Sequence, residues 1–146
     1  MIERLENVGV VVEDLDAAVA FFVGLGMVLE GTGPVEGARV DRVVGLEGIQ
    51  LDVAMVRTPD GHGRLELMRF RSPVAVGGRP ATPANALGLR RILFGVSDID
   101  GLVAGLRARG VPIMGELVQY EDSHKLCYVR GPEGIIVAFA ERLQEK

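Results

Sequence analysis

The chain has 146 residues, 48% hydrophobic and 25% charged, a balance that supports a packed core and excludes wholesale disorder. Lys and Arg number 16 against 20 Asp and Glu, giving a net charge of −4, and no basic cluster is long enough to make the face that nucleic-acid phosphates require. No apolar run approaches the roughly 18 residues of a membrane span, Met1-Ile2-Glu3-Arg4 does not read as a signal peptide, and the single Cys127 excludes an internal disulfide and suits a reducing cytoplasm.

In chain order, the apolar, β-branched run Val8-Gly9-Val10-Val11-Val12 predicts a strand. Asp14 stands where it can N-cap a helix, Leu15, Val19 and Phe22 recur at helical spacing, and Gly26 ends that helix before a second strand. Around Gly33 to Gly45, Val40, Val43 and Val44 could form a short helical turn. Ile49 to Val56 and Arg64 to Phe70 read as strands flanking the turn Thr58-Pro59-Asp60-Gly61. Ser72 to Leu87, with Pro73, Pro80, Pro83, Gly77 and Gly78, has a linker's composition.

The pattern then starts again. A shift of 84 residues lays Asn7-Val8 on Arg91-Ile92, Asp14-Leu15-Asp16 on Asp98-Ile99-Asp100, Val19 on Val103, Gly26 on Gly110 and Gly31 on Gly115. The last strands, Leu126 to Arg130 and Ile135 to Phe139, flank Gly131-Pro132-Glu133-Gly134, so a Pro-acid-Gly turn precedes the final strand of both copies. Module 1 therefore runs from about residue 4 to 71 and module 2 from about 88 to 143, each β-α-β-β-β, in one α+β domain. The high glycine count, 20 residues, is partly explained by paired turns at Gly26/Gly110, Gly31/Gly115 and Gly61/Gly134.

Val8-Gly-Val-Val-Val-Glu-Asp-Leu-Asp-Ala-Ala-Val-Ala-Phe-Phe, Gly63-Arg-Leu-Glu-Leu and Tyr128-Val-Arg-Gly-Pro-Glu-Gly, set in this duplicated pattern, resemble the vicinal oxygen chelate superfamily. That group includes glyoxalase I, methylmalonyl-CoA epimerase, extradiol dioxygenases and bleomycin-resistance proteins. The resemblance implies two tandem modules forming a curled, cup-shaped mixed sheet, with helices outside and a ligand in the concavity. It also implies four metal-ligand positions, which fall at Asn7, Glu66, Arg91 and Ala138. Of these only Glu66 is an ordinary ligand for a divalent ion; Asn7 offers a weak amide oxygen, while Arg91 and Ala138 have no lone pair to give. No cofactor is expected, a divalent metal at Glu66 being the lesser alternative.

Alternation along the strands places Asn7, Asp52, Arg64, Glu66 and Arg91 inward, with Met68 and Phe70 as apolar walls and Gly9 and Gly95 leaving room for a ligand. Buried charges need partners, so Arg91 is expected to pair with Glu66, either as a plug in a lost metal site or as the anchor for a ligand oxyanion. His124 could be an acid/base at the cup's mouth or an exposed strand-end residue, and Tyr128 could bond a ligand or pack as a wall. His62 reads as a solvated turn residue and Cys127 as a small core residue. The function expected is that of a glyoxalase-like, small-molecule lyase or isomerase without the usual metal ligands, using Glu66 as base with Arg91 and His124 as its partners. The alternative is a non-catalytic protein that sequesters a small molecule. The partners expected are that ligand and a second copy of the chain in a homodimer, with no nucleic acid and no membrane.

Overall fold

A computed structural model of the chain describes residues 1–78 and 82–143; linker residues 79–81 lie outside the described part. The chain divides into two compact units, Met1–Gly77 and Gly78–Lys146. In the first, β1 (Val8–Val11), α1 (Leu15–Gly24), β2 (Val28–Glu36), α2 (Ala38–Val44), β3 (Gln50–Arg57) and β4 (Arg64–Ser72) follow one another. The second contains β5 (Arg91–Gly95), α3 (Ile99–Ala108), β6 (Ile113–Tyr120), β7 (His124–Arg130) and β8 (Ile136–Arg142), with a short 3₁₀ turn at Pro132–Gly134. The extra valines before β3 do form a helix, α2, closed by Gly45 in the left-handed conformation.

Each unit holds a four-stranded mixed sheet, ordered β1-β4-β3-β2 in the first and β5-β8-β7-β6 in the second. The outer pair β1/β4 is parallel and the rest of the sheet antiparallel, and β5/β8 repeats this arrangement. The 84-residue offset holds for hydrogen bonds as well as for residue types. Val12 N–H donates to the Met68 carbonyl, and Val96 N–H donates to the Ala140 carbonyl.

The helices begin and end as their residues dictate. The Asp14 carboxylate accepts from Ala17 N–H at 2.9 Å, and Asp98 accepts from Gly101 N–H at 3.1 Å, each satisfying a donor that the first helical turn leaves unpaired. After the caps, Gly26 (φ 112°) and Gly110 (φ 77°) adopt a conformation that L-side chains resist. Gly31 behaves differently: it lies inside β2 without a positive φ, beside a register shift between Leu29 and Gly31. Its counterpart Gly115, at φ 57°, sits in the irregular stretch of β6. These two mark strand irregularities rather than paired turns.

Each sheet packs one face on its long helix. In the first unit Val10, Ala54, Val56, Leu65 and Leu67 meet α1, where Ala18 and Phe22 are fully buried. In the second, Cys127, Val129, Val137 and Phe139 meet Ile99, Val103 and Leu106 of α3. Removing side chains the size of Phe22 or Phe139 from water contributes about 1.5–3 kcal/mol apiece. Apart from Asp52, the candidate site residues stand on the opposite face of each sheet.

Candidate functional site

The first unit places Gly9 beside Glu66 and Val11 beside Met68 across the parallel pair, with Met55 opposite Glu66 on β3. Glu66 therefore projects from the middle of the face away from α1, between Met55 and the backbone of Gly9. Asn7, two residues before Gly9, shares that face by alternation. The Glu66 carboxylate is half-buried and has no ion-pair or hydrogen-bond partner among the described residues of its unit. A methyl group at Gly9 would come within 2.9 Å of Met68 Cε, so the bare glycine lets the methionine lie over β1 next to Glu66. Arg64 and Phe70 flank this segment on the same face, as their alternation with Leu65 and Leu67 predicts.

Asp52 is a correction. Its register partner is Arg69, and it forms ion pairs with Arg69 (3.8 Å) and Arg71 (3.3 Å) on the α1 face, opposite to Glu66. The residues that share Glu66's face on β3 are Leu51, Val53, Met55 and Arg57. Both faces of β3 are apolar, so the assumption that its bulky aliphatics all point to the helix inverted the strand. With Arg69, whose Nε donates to the Glu13 carbonyl, Asp52 closes one end of a groove of about 660 Å³ walled by Leu15, Val19, Leu29 and Pro34. The groove lies on the α1 side of the sheet, away from Glu66.

Two residues that sequence reasoning missed, Glu30 and Arg57, stand with the expected Arg64 at the other end of Glu66's face. Arg57 and Arg64 are directly opposed across β3/β4, and Glu30 reaches both. Its carboxylate lies 3.2 Å from Arg64 Nε and 3.4 Å from Arg57 Nε. Glu30 is the residue skipped by the β2 register shift, and such a bulge re-aims a side chain in a way no alternation rule predicts. His62, in the neighbouring turn, is exposed. In that turn Thr58 Oγ1–H and His62 N–H both donate to Asp60 and hold its carboxyl below the usual carboxylate range, the hydroxyl being the larger cause.

In the second unit, Arg91, Leu93 and Gly95 of β5 and Leu126, Tyr128 and Arg130 of β7 share the face away from α3. The Arg91 guanidinium lies over the Tyr128 ring, 5.4 Å from its centroid, within cation–π range. Leu93, Val118 and Tyr120 leave this face openly apolar and aromatic, being 50%, 42% and 55% exposed. Ala138, next to Leu93 in register, is completely buried, and a methyl group added at Gly95 would meet nothing within 4 Å. His124 opens β7, exposed, with Nδ1 2.9 Å from Ser123 Oγ. Four residues of extended chain, about 13 Å, separate it from Tyr128, so His124 is not gathered with Arg91. Cys127 packs in the α3-facing core, where burial pushes its thiol pKa up; it is no candidate nucleophile.

The chain matches the model of the glyoxalase/bleomycin resistance protein/dioxygenase superfamily over residues 4–139. It belongs to that superfamily. A glyoxalase family protein of Bacillus cereus is 46% identical, with 99% of this chain and 97% of that one covered at a TM-score of 0.95, so the tandem-module α+β fold is shared over the whole length. The trypanothione-dependent glyoxalase I of Leishmania major is 20% identical at a TM-score of 0.67, covering 96% of this chain and 87% of that one. An antibiotic-binding protein of a Streptomyces species is 19% identical at 0.60, covering 97% of both. The last two likenesses extend to the fold alone. No curated protein matches the chain significantly.

The resemblance read from the sequence puts the ion-binding positions of metal-dependent members at Asn7, Glu66, Arg91 and Ala138. This set does not fit a divalent cation: one position is a buried methyl group, and another is a permanent cation stacked on a tyrosine. Among the described residues, no three His, Cys, Asp or Glu side chains cluster as a metal would need. No helix among them is long and apolar enough to cross a membrane.

Proposed function

We propose that this superfamily member handles a small organic molecule on the sheet face of its first unit that points away from α1, as a lyase- or isomerase-type enzyme working without a resident divalent ion. The observation that carries the reading is Glu66. It is a half-buried carboxylate without a partner in its own unit, between Met55, Met68 and the open backbone of Gly9. Such a group can take a proton from a carbon next to a carbonyl. Asn7 and Phe70 contribute contacts to the same ligand. On the second unit, Arg91, fixed over Tyr128, is a cation that can hold an anionic group of a ligand on its own sheet face. His124 is left out of the chemistry because it stands at the far end of β7.

Chelator-treated protein is screened by thermal shift against 2-oxo acids, acyl-CoA thioesters, glutathione adducts and aromatic natural products, and hits are followed for solvent-deuterium incorporation. Exchange in the wild type that is lost in Glu66→Gln supports the enzyme. Stoichiometric Zn, Ni, Fe or Mn in the purified protein, required for turnover, overturns the metal-free reading.

A second reading, sequestration without turnover, is favoured by the open apolar and aromatic face of the second unit, where Leu93, Val118 and Tyr120 surround the Arg91–Tyr128 pair. It predicts tight binding of an apolar ligand, unchanged in Glu66→Gln and recoverable intact. In either case we propose a cytoplasmic homodimer. The free cysteine suits a reducing compartment, and β1, β2, β5 and β6 are sheet-edge strands of the kind that chains cover by association. Light scattering on the purified protein measures the mass directly.

A further inference from the structure

We infer that Arg57 and Arg64, bridged by Glu30, form an oxyanion subsite that receives the carboxylate or phosphate group of the ligand on which Glu66 acts; this rests on the reading of Glu66 above. Two like charges directly opposed on neighbouring strands repel, and the fold nevertheless sets Arg57 opposite Arg64. The β2 bulge delivers one carboxylate between them, with Glu30 Oε1 shared by both arginines and Oε2 3.3 Å from Arg64 Nε. One negative charge against two positive leaves the cluster with a net charge of +1.

The guanidinia are also held in place from behind. Arg57 Nη1 donates to the Thr58 carbonyl and Arg64 Nη1 to the Gly61 carbonyl, each at 3.2 Å. All three side chains are only about a third exposed (31%, 37% and 30% for Arg57, Arg64 and Glu30), which limits solvent screening. A planar guanidinium with spare donors binds carboxylate and phosphate oxygens with defined geometry. Arg64 and Glu66 are two residues apart on one face, so an anion held here lies about 7 Å along the strand from the Glu66 position. The substrate class is therefore a small acid whose ionised group sits several bonds from its exchangeable C–H, the apolar part lying over Met55 and Met68.

The test uses the full-length protein and two probes, inorganic phosphate and pyruvate, titrated at about 0.15 M salt while the arginine Nε–H signals are followed by NMR. The expected result is a saturable shift of the Arg57 and Arg64 signals, and the tighter of the two probes identifies the ligand's ionised group as phosphate or carboxylate. Arg57→Met weakens the midpoint at least tenfold. Glu30→Gln, which removes the competing carboxylate, tightens it severalfold. Unmoved Arg57 and Arg64 signals in the wild-type titration, or unchanged or weakened anion binding in folded Glu30→Gln, overturn the subsite and reduce the cluster to a structural ion pair. The wild-type titration needs no variant to fold. Glu66→Gln keeps the anion response whether or not it keeps turnover, so failure of the subsite and failure of the catalytic reading appear in different measurements.

Discussion

The two units of this superfamily member repeat one design, and they differ most where each sheet faces away from its long helix. On the first unit that face is charged and internally balanced, with Glu30 between Arg57 and Arg64 and, two residues beyond Arg64, Glu66 without a partner among the described residues of its unit. On the second, Leu93, Val118 and Tyr120 are exposed and Arg91 lies over Tyr128. The helix-facing sides are alike in plan but not in closure. Ile99 and Val103 of α3 are 0% and 1% exposed, whereas their counterparts Leu15 and Val19 on α1 are half-buried along the groove. In the second unit the Lys125–Asp100 ion pair and the bond from Ile99 N–H to Glu141 Oε2 lie where the first leaves the groove. Packing keeps a repeat's backbone plan, while the faces turned away from the helices are free to diverge.

The sharpest test of that contrast is mutational. Ile99→Ala should destabilise the second unit by about 2–5 kcal/mol in urea denaturation, whereas its counterpart Leu15→Ala, already partly solvated, should cost distinctly less. Equal losses would mean that the groove is not a real difference between the units. Glu66→Gln should lower turnover of any identified substrate by about 100-fold or more with little change in melting temperature, since the carboxylate has no partner in its unit to lose. Arg91→Ala should instead act mainly on ligand affinity. If Glu66→Gln left binding unchanged and the ligand came back intact, the enzyme reading would give way to sequestration.

Tyr128→Leu, which keeps the apolar bulk but removes the π face, should cost about 0.5–1 kcal/mol of stability and loosen Arg91, read as a drop in affinity for an anionic ligand. The smallest effect is electrostatic. Asp100 raises the Lys125 pKa above its ordinary value, chiefly through their hydrogen bond. Its stabilising contribution is therefore fully present below the unfolded lysine's pKa and is lost as pH rises through the higher folded one. The melting temperature should bend downward above about pH 10.4, and Asp100→Asn should remove that bend and slightly lower the melting temperature near neutrality, where the pair is fully formed.

Much of the fold was legible because the relevant residues act locally. Asp14 and Asp98 cap, Gly26 and Gly110 terminate, and the spacing of Leu15, Val19 and Phe22 repeats in Ile99, Val103 and Leu106. The face of β4 was legible too, because Leu65 and Leu67 alternate with polar or larger neighbours. On β3 the same rule failed: Leu51, Val53, Ala54 and Val56 are apolar on both sides, and Asp52 went to the α1 face. Glu30 and Arg57 could not be grouped with Arg64 from sequence, since a one-residue bulge decides where Glu30 points.

The sequence by itself determined the duplication, the order of the elements and their caps, because each depends on residue identity at short or fixed spacing. Only the tertiary structure decided which carboxylate stands without a partner in its unit, which is tied to arginines, and what Arg91 leans on. Those outcomes depend on strand register, and a single bulge or a shift of one residue moves a side chain to another neighbour or to the opposite face of the sheet.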